Sequence, residues 1–239
     1  MDHTILEAIL RISDVLEGIL DVYPGQFAAA LEKLGTSVLT LEELIFIGSG
    51  TSDTSARTSS PVVSFFSGLR TTVLWPAQLE RMLSQITRPE NTNGLNRRGL
   101  YIFTSQTGTS KLTSAMMHQV DAAGCLTLSI TESEDTPLAK TSAAHVVMGC
   151  GQEAFLMRTI GYAASCLVHT LLALRVEDAR TGEPIAFLSN YAVHCVAGFL
   201  NDCGDGRSFL SADIAGEVSR ALEAEYPGRS EEHTSELQS

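Results

Sequence analysis

Two short apolar runs each end in a cluster of glycine and hydroxyl residues, and each cluster opens a helical pattern. Leu44-Ile-Phe-Ile47 runs into Gly48-Ser-Gly-Thr-Ser-Asp53, and Leu100-Tyr-Ile-Phe103 runs into Thr104-Ser-Gln-Thr-Gly-Thr-Ser110. Continuous apolar runs of this length suit strands covered on both faces. Further candidate strands fall at Thr71–Leu74, 125–130 and 145–148, each followed by a helical pattern. Strands alternating with helices predict an α/β fold of three layers, a parallel sheet between two layers of helices. In such sheets a ligand sits beyond the carboxyl ends of the strands, where the strand order reverses. The two hydroxyl-rich loops place that reversal between the first and third strands, around one crevice.

The loop 104–110 carries the sharper chemistry. It delivers hydroxyls, a glycine and unpaired backbone N–H groups to the start of a helix near Lys111. The first-turn N–H groups and the helix dipole favour an anion there. Residues 48–53 are expected to form the facing wall. The alternative for both loops is an ordinary capping turn.

Around this core, residues 3–21 show helical spacing, and Tyr23-Pro24-Gly25 is expected to end that helix before a second one at 26–34. A helix over 54–67 is expected to bury Ala56, Val62, Val63, Phe65 and Phe66, with Pro61 implying a kink or a late start. A long helix with small residues on one face is expected from Ala154 to Val176. Helices at 185–200 and 209–225 follow, with no further strand.

The formal charge of −12 argues against a nucleic-acid surface. No apolar run is long enough to span a membrane. The five cysteines (Cys125, Cys150, Cys166, Cys195, Cys203) are widely spaced and form no CxxC pair, so they read as reduced thiols of a cytoplasmic protein. His118 and His169 lack partners at metal-ligand spacing, so no metal site is expected. Asp53 reads as a helix-start carboxylate. Glu153 is either a general base or a carboxylate that orders its loop, and Arg158 either pairs with a phosphate or makes a salt bridge.

The tail 229–239 differs in character from the rest and matches the translation of a DNA-sequencing adapter. It carries one Arg and three Glu, so the remainder has a formal charge of −12 + 2 = −10. The expected organisation is an N-terminal helical segment at 1–30, one α/β domain at 31–176, a helical connector at 177–228 and an adapter-derived tail at 229–239.

The two loops, together with Cys150-Gly-Gln-Glu153 and Arg158-Thr-Ile-Gly-Tyr162, resemble the SIS (sugar isomerase) family over about residues 30–175. The resemblance implies a five-stranded parallel, flavodoxin-like sheet. It implies Ser105, Gln106, Thr107, Gly108 and Ser110 around a sugar phosphate, Gly50, Thr51 and Ser52 along the sugar, and Glu153 and Arg158 lining the pocket. The family has a smaller residue where Arg158 stands. It implies a homodimer and no metal or redox cofactor. The nearer likeness is to two-domain ketose/aldose-phosphate isomerases and fructosamine deglycases, whose catalytic residues lie in a second domain. This chain is therefore expected to bind without turning over, as part of a longer enzyme. The rival expectation is a sugar-phosphate-sensing regulator.

Overall fold

A computed structural model of the chain describes residues 5–86, 94–151, 153 and 158–181. Five strands alternate with helices: β1 (Glu43–Ile47), β2 (Arg70–Leu74), β3 (Gly99–Thr104), β4 (Leu126–Thr131) and β5 (Ala144–Val147). Helices α1 (Ile5–Leu10) and α2 (Ile12–Leu34) precede them, and a 3₁₀ segment, Gly35–Thr40, leads into β1. Helix α3 (Thr51–Ser67) follows β1, α4 (Pro76–Ile86) follows β2, and α5 (Lys111–Ala122) follows β3. The short α6 (Pro137–Thr141) and the long α7 (Ile160–Thr181) follow β4 and β5.

The sheet is wholly parallel in the order β2-β1-β3-β4-β5. The order reverses between β1 and β3, which pair with Ile47 beside Phe103. The expected switch point is therefore where the two hydroxyl-rich loops emerge.

Side-chain alternation divides the core in two. Leu44, Phe46, Leu100, Ile102, Leu128, Ile130 and Val146 face one way, with Phe27 of α2, Val63 of α3 and Val168 of α7. Ile45, Ile47, Tyr101 and Phe103 face the other way, with Leu79 of α4, Met116 and Met117 of α5 and Leu138 of α6. The edge strand β5 is partly covered by α2, where the Gln26 Oε1 accepts from the Val147 N–H at 2.8 Å.

Several local expectations need correction. Tyr23-Pro24-Gly25 does not end a helix: α2 runs through Pro24 to Leu34. Its buried stripe of Ile19, Phe27, Ala30 and Leu34 stays in phase across the proline, and Pro24 itself is exposed. Packing of that stripe outweighs one lost backbone hydrogen bond. Helix α3 starts early, at Thr51, and also contains a proline. The carbonyl that Pro61 leaves without a backbone partner, Arg57 O, accepts from the Ser60 hydroxyl at 3.2 Å. Phe65, expected in the core, is 80% exposed, because α3 turns its Ala56–Ser59–Val63 stripe inward. Helix α7 begins at Ile160, not Ala154, for a reason given below. The expected helices at 185–200 and 209–225, and the tail, lie outside the described residues.

Candidate functional site

Both loops leave the carboxyl edge of the sheet side by side. The loop after β3 is fixed from below by β4 and the turn that follows it. The Ser105 N–H donates to Ile130 O at 3.0 Å, and the Glu132 N–H donates to Gln106 O at 3.0 Å. The Gly108 N–H turns back onto Ser105, to its carbonyl at 3.0 Å and its hydroxyl at 3.2 Å. Gly108 has φ +61°, and a Cβ there would stand 2.4 Å from the Thr136 Cβ, so only glycine fits. Ser110 is the N-cap of α5: its Oγ accepts from the Thr113 N–H at 3.4 Å and the Thr113 hydroxyl at 2.9 Å. Thr107 and Thr109 remain exposed above the turn, their hydroxyls 3.1 Å apart.

The connection from β5 to α7 forms the third wall, and two carboxylates organise it. Glu132 accepts from the Gly151 N–H at 2.7 Å, the Cys150 N–H at 3.0 Å and the Cys150 thiol at 3.1 Å. Burial, reinforced by Glu132, pushes the Cys150 pKa up, so this residue stays a thiol. Glu153 is buried, and its Oε1 accepts from Thr159 N–H (2.8 Å), Ile160 N–H (3.0 Å) and the Thr159 hydroxyl (3.1 Å). Its Oε2 accepts from the Gly161 N–H at 2.9 Å. This carboxylate caps α7 from outside the helix, which explains the late start. Gly161 permits the close packing: a Cβ there would lie 3.0 Å from both Gln106 Oε1 and Glu153 Oε2.

Beneath the loops, a fully buried histidine ties three elements together. His169 of α7 meets the Thr104 hydroxyl at 2.8 Å through Nε2 and the Ser59 hydroxyl at 3.1 Å through Nδ1. Ser59 donates to Ser55 O at 2.9 Å, so Nδ1–H donates to Ser59 and Nε2 accepts from Thr104. Burial lowers the His169 pKa to about 3, and the ring stays neutral. In the first turn of α3, the buried Asp53 carboxylate accepts two hydrogen bonds from Arg57, of 3.0 and 2.9 Å.

These walls enclose an open cleft of about 170 Å³ lined by Ser49, Thr51, Ser52, Gln106, Thr107, Arg158, Gly161 and Ser165. Of the residues singled out from sequence, Thr51, Ser52, Gln106, Thr107 and Arg158 meet on its surface. Gly50, Ser105, Gly108, Ser110 and Glu153 are not among its lining residues; Gly108 and Ser105 shape the turn, and Ser110 and Glu153 cap helices. Ser49, Gly161 and Ser165 line the cleft without having been singled out. Ser165 lies one helical turn beyond Gly161 and donates to its carbonyl at 2.6 Å, a spacing that helical periodicity could have supplied. Glu132 had no motif to mark it.

The arrangement offers hydroxyls, a helix N-terminus and one guanidinium to an anionic ligand. Gln106 supports the wall by donating Nε2–H to Gly151 O at 3.0 Å and to the Cys150 sulfur at 3.2 Å.

The same architecture occurs in solved structures. A Clostridium difficile 630 protein assigned as a phosphosugar isomerase matches at TM-score 0.64 and 20% identity, over 76% of this chain and 48% of that one. The chain has the sugar isomerase (SIS) fold. The sugar isomerase domain of the RpiR transcription factor from Sphaerobacter thermophilus matches at TM-score 0.55 and 21% identity, over 76% of this chain and 93% of that domain. The Vibrio vulnificus NanR protein complexed with ManNAc-6P matches at TM-score 0.53 and 17% identity, over 73% and 61% of the two chains. The SIS chain described here spans about half the length of the Clostridium difficile protein. No protein-family model and no curated protein sequence matches it.

Proposed function

We propose that the cleft binds the phosphate end of a phosphorylated sugar. The observation that carries this reading is the loop 105–110. It brings exposed hydroxyls and the start of α5 to the reversal point of the sheet, directly beside Thr51 and Ser52. NanR, with the same fold, was solved with ManNAc-6P, which supports a sugar phosphate as the ligand class. Ser105, Thr107 and Ser110 serve the phosphate, Gln106 braces the wall beside them, and Gly50, Thr51 and Ser52 serve the sugar.

The parent protein is an aldose/ketose-phosphate isomerase or a fructosamine-phosphate deglycase, and this chain supplies its binding half as a homodimer. The state of the carboxylates supports binding without turnover here. Glu132 and Glu153 are each engaged by backbone N–H groups, and the described lining residues include no carboxylate. A sugar-phosphate-sensing regulator is the second reading, supported by the RpiR domain match.

Calorimetry with fructose 6-phosphate and with fructose tests the ligand class. The phosphorylated sugar is expected to bind and the free sugar is not. Thr107→Ala combined with Ser110→Ala is expected to weaken binding at least tenfold; unchanged affinity would remove the loop from the site. Isomerase turnover by the 239-residue chain would refute the assignment of catalysis elsewhere.

A further inference from the structure

Resting on the phosphosugar reading, the cleft has a surplus that a single phosphate does not explain. Arg158 is its one charged lining residue among those described; the others are hydroxyl residues, an amide and a glycine. The guanidinium is half-buried and has no carboxylate partner within ion-pair distance among the described residues. Among the described residues its one hydrogen bond runs from Nη1–H to Glu153 O at 2.8 Å. The neighbouring Glu153 carboxylate makes no direct ion pair with it; its oxygens accept instead from the start of α7. A guanidinium carries five N–H donors in a planar fork, and four remain without a partner among the described residues.

A partly desolvated cation without a counter-ion is costly unless the cleft receives an anion. The phosphate already has its own grip, made of hydroxyls and the N-terminus of α5, and such a grip holds an anion without a further cation. Arg158 belongs to a different wall. Its bond to Glu153 O fastens it to the connection between β5 and α7, not to the loop 105–110.

We propose that Arg158 is a specificity-determining residue that pairs with a second oxyanion of the ligand, a carboxylate or a second phosphate, separate from the phosphate held by 105–110. The ligand class narrows accordingly to sugar phosphates with two anionic groups. The fork would take the second group through two parallel hydrogen bonds.

Titration of the 239-residue chain with fructose 6-phosphate, fructose 1,6-bisphosphate and 6-phosphogluconate tests this. At least one of the two-anion ligands is expected to bind tenfold or more tighter than fructose 6-phosphate; which one identifies the second group as phosphate or carboxylate. Arg158→Gln is expected to abolish that preference, weakening the favoured two-anion ligand at least tenfold more than it weakens fructose 6-phosphate. Arg158→Lys, with the charge but no fork, is expected to keep only part of it. Equal weakening of all three ligands by Arg158→Gln would overturn the proposal by putting Arg158 on the shared phosphate. So would binding of fructose 6-phosphate with no preference in the wild-type chain, a result that needs no variant and leaves the phosphosugar reading intact. Failure of all three ligands to bind the wild-type chain would take down both.

Discussion

Glu153 shows how one residue can look catalytic in sequence and act as a cap in three dimensions. Its oxygens accept three backbone N–H bonds and one hydroxyl bond at the start of α7. Hydrogen bonds to a charged group each contribute about 1.5–3 kcal/mol, so Glu153→Ala should cost roughly 3 kcal/mol or more. Urea unfolding measures this, and a loss under about 1 kcal/mol would contradict the capping role. Gly108 makes a different demand. Gly108→Ala must take φ +61° and meet Thr136, so it should cost at least about 2 kcal/mol and also weaken phosphosugar binding. His169 adds a pH dependence whose sign follows from its burial. The unfolded chain takes up a proton below the ordinary value of 6.5, whereas the folded chain holds none on this ring until about 3. Stability is fully present above 6.5 and declines as pH falls toward 3. His145, lowered chiefly by burial, adds in the same direction. Between pH 6.5 and 5 the His169 ring contributes a slope of up to about 1.4 kcal/mol per pH unit. His169→Gln should flatten the slope in that window; an unchanged profile would count against the buried network as its source.

At the scale of elements, the strands were legible because each is a short apolar run that ends in a turn signal. All five appear within a residue or so of the expected positions. Helix ends were harder. Proline suggested a stop at Pro24 and trouble at Pro61, yet both sit inside helices. Local propensity gave way to packing: each proline faces outward, and the buried stripe on the opposite side stays continuous. Replacing Pro24 with alanine should therefore stabilise the chain by about 1 kcal/mol, since a helix interior penalises proline and the site is exposed. A lower thermal midpoint for that variant would argue that the chain needs a break there. The start of α7 was misjudged for another reason. Its cap comes from Glu153, seven residues before Ile160, and no rule of local spacing predicts so distant a cap.

For the whole molecule, the switch between the first and third strands was readable before the contacts were. Two hydroxyl-rich loops implied neighbours at a switch point, and β1 and β3 are those neighbours. The parity of each central strand likewise anticipates the split core. Phe103, fully buried against Met116 and Met117 with the α5 layer, should cost about 3–5 kcal/mol when cut to alanine, read from the unfolding midpoint. The third wall was less legible. Glu132, Glu153 and Gly161 meet only because β4, β5 and α7 converge, so their cooperation is a property of the tertiary fold.

A parallel sheet has two unlike ends. Every loop leaving a strand lies at the ligand end, and every connection entering one lies opposite. Residues 94–98 enter β3 from that far end. They are the natural place for a fluorophore, an affinity tag or a surface tether. A handle there would sit on the remote side of the sheet and leave the cleft open to solution.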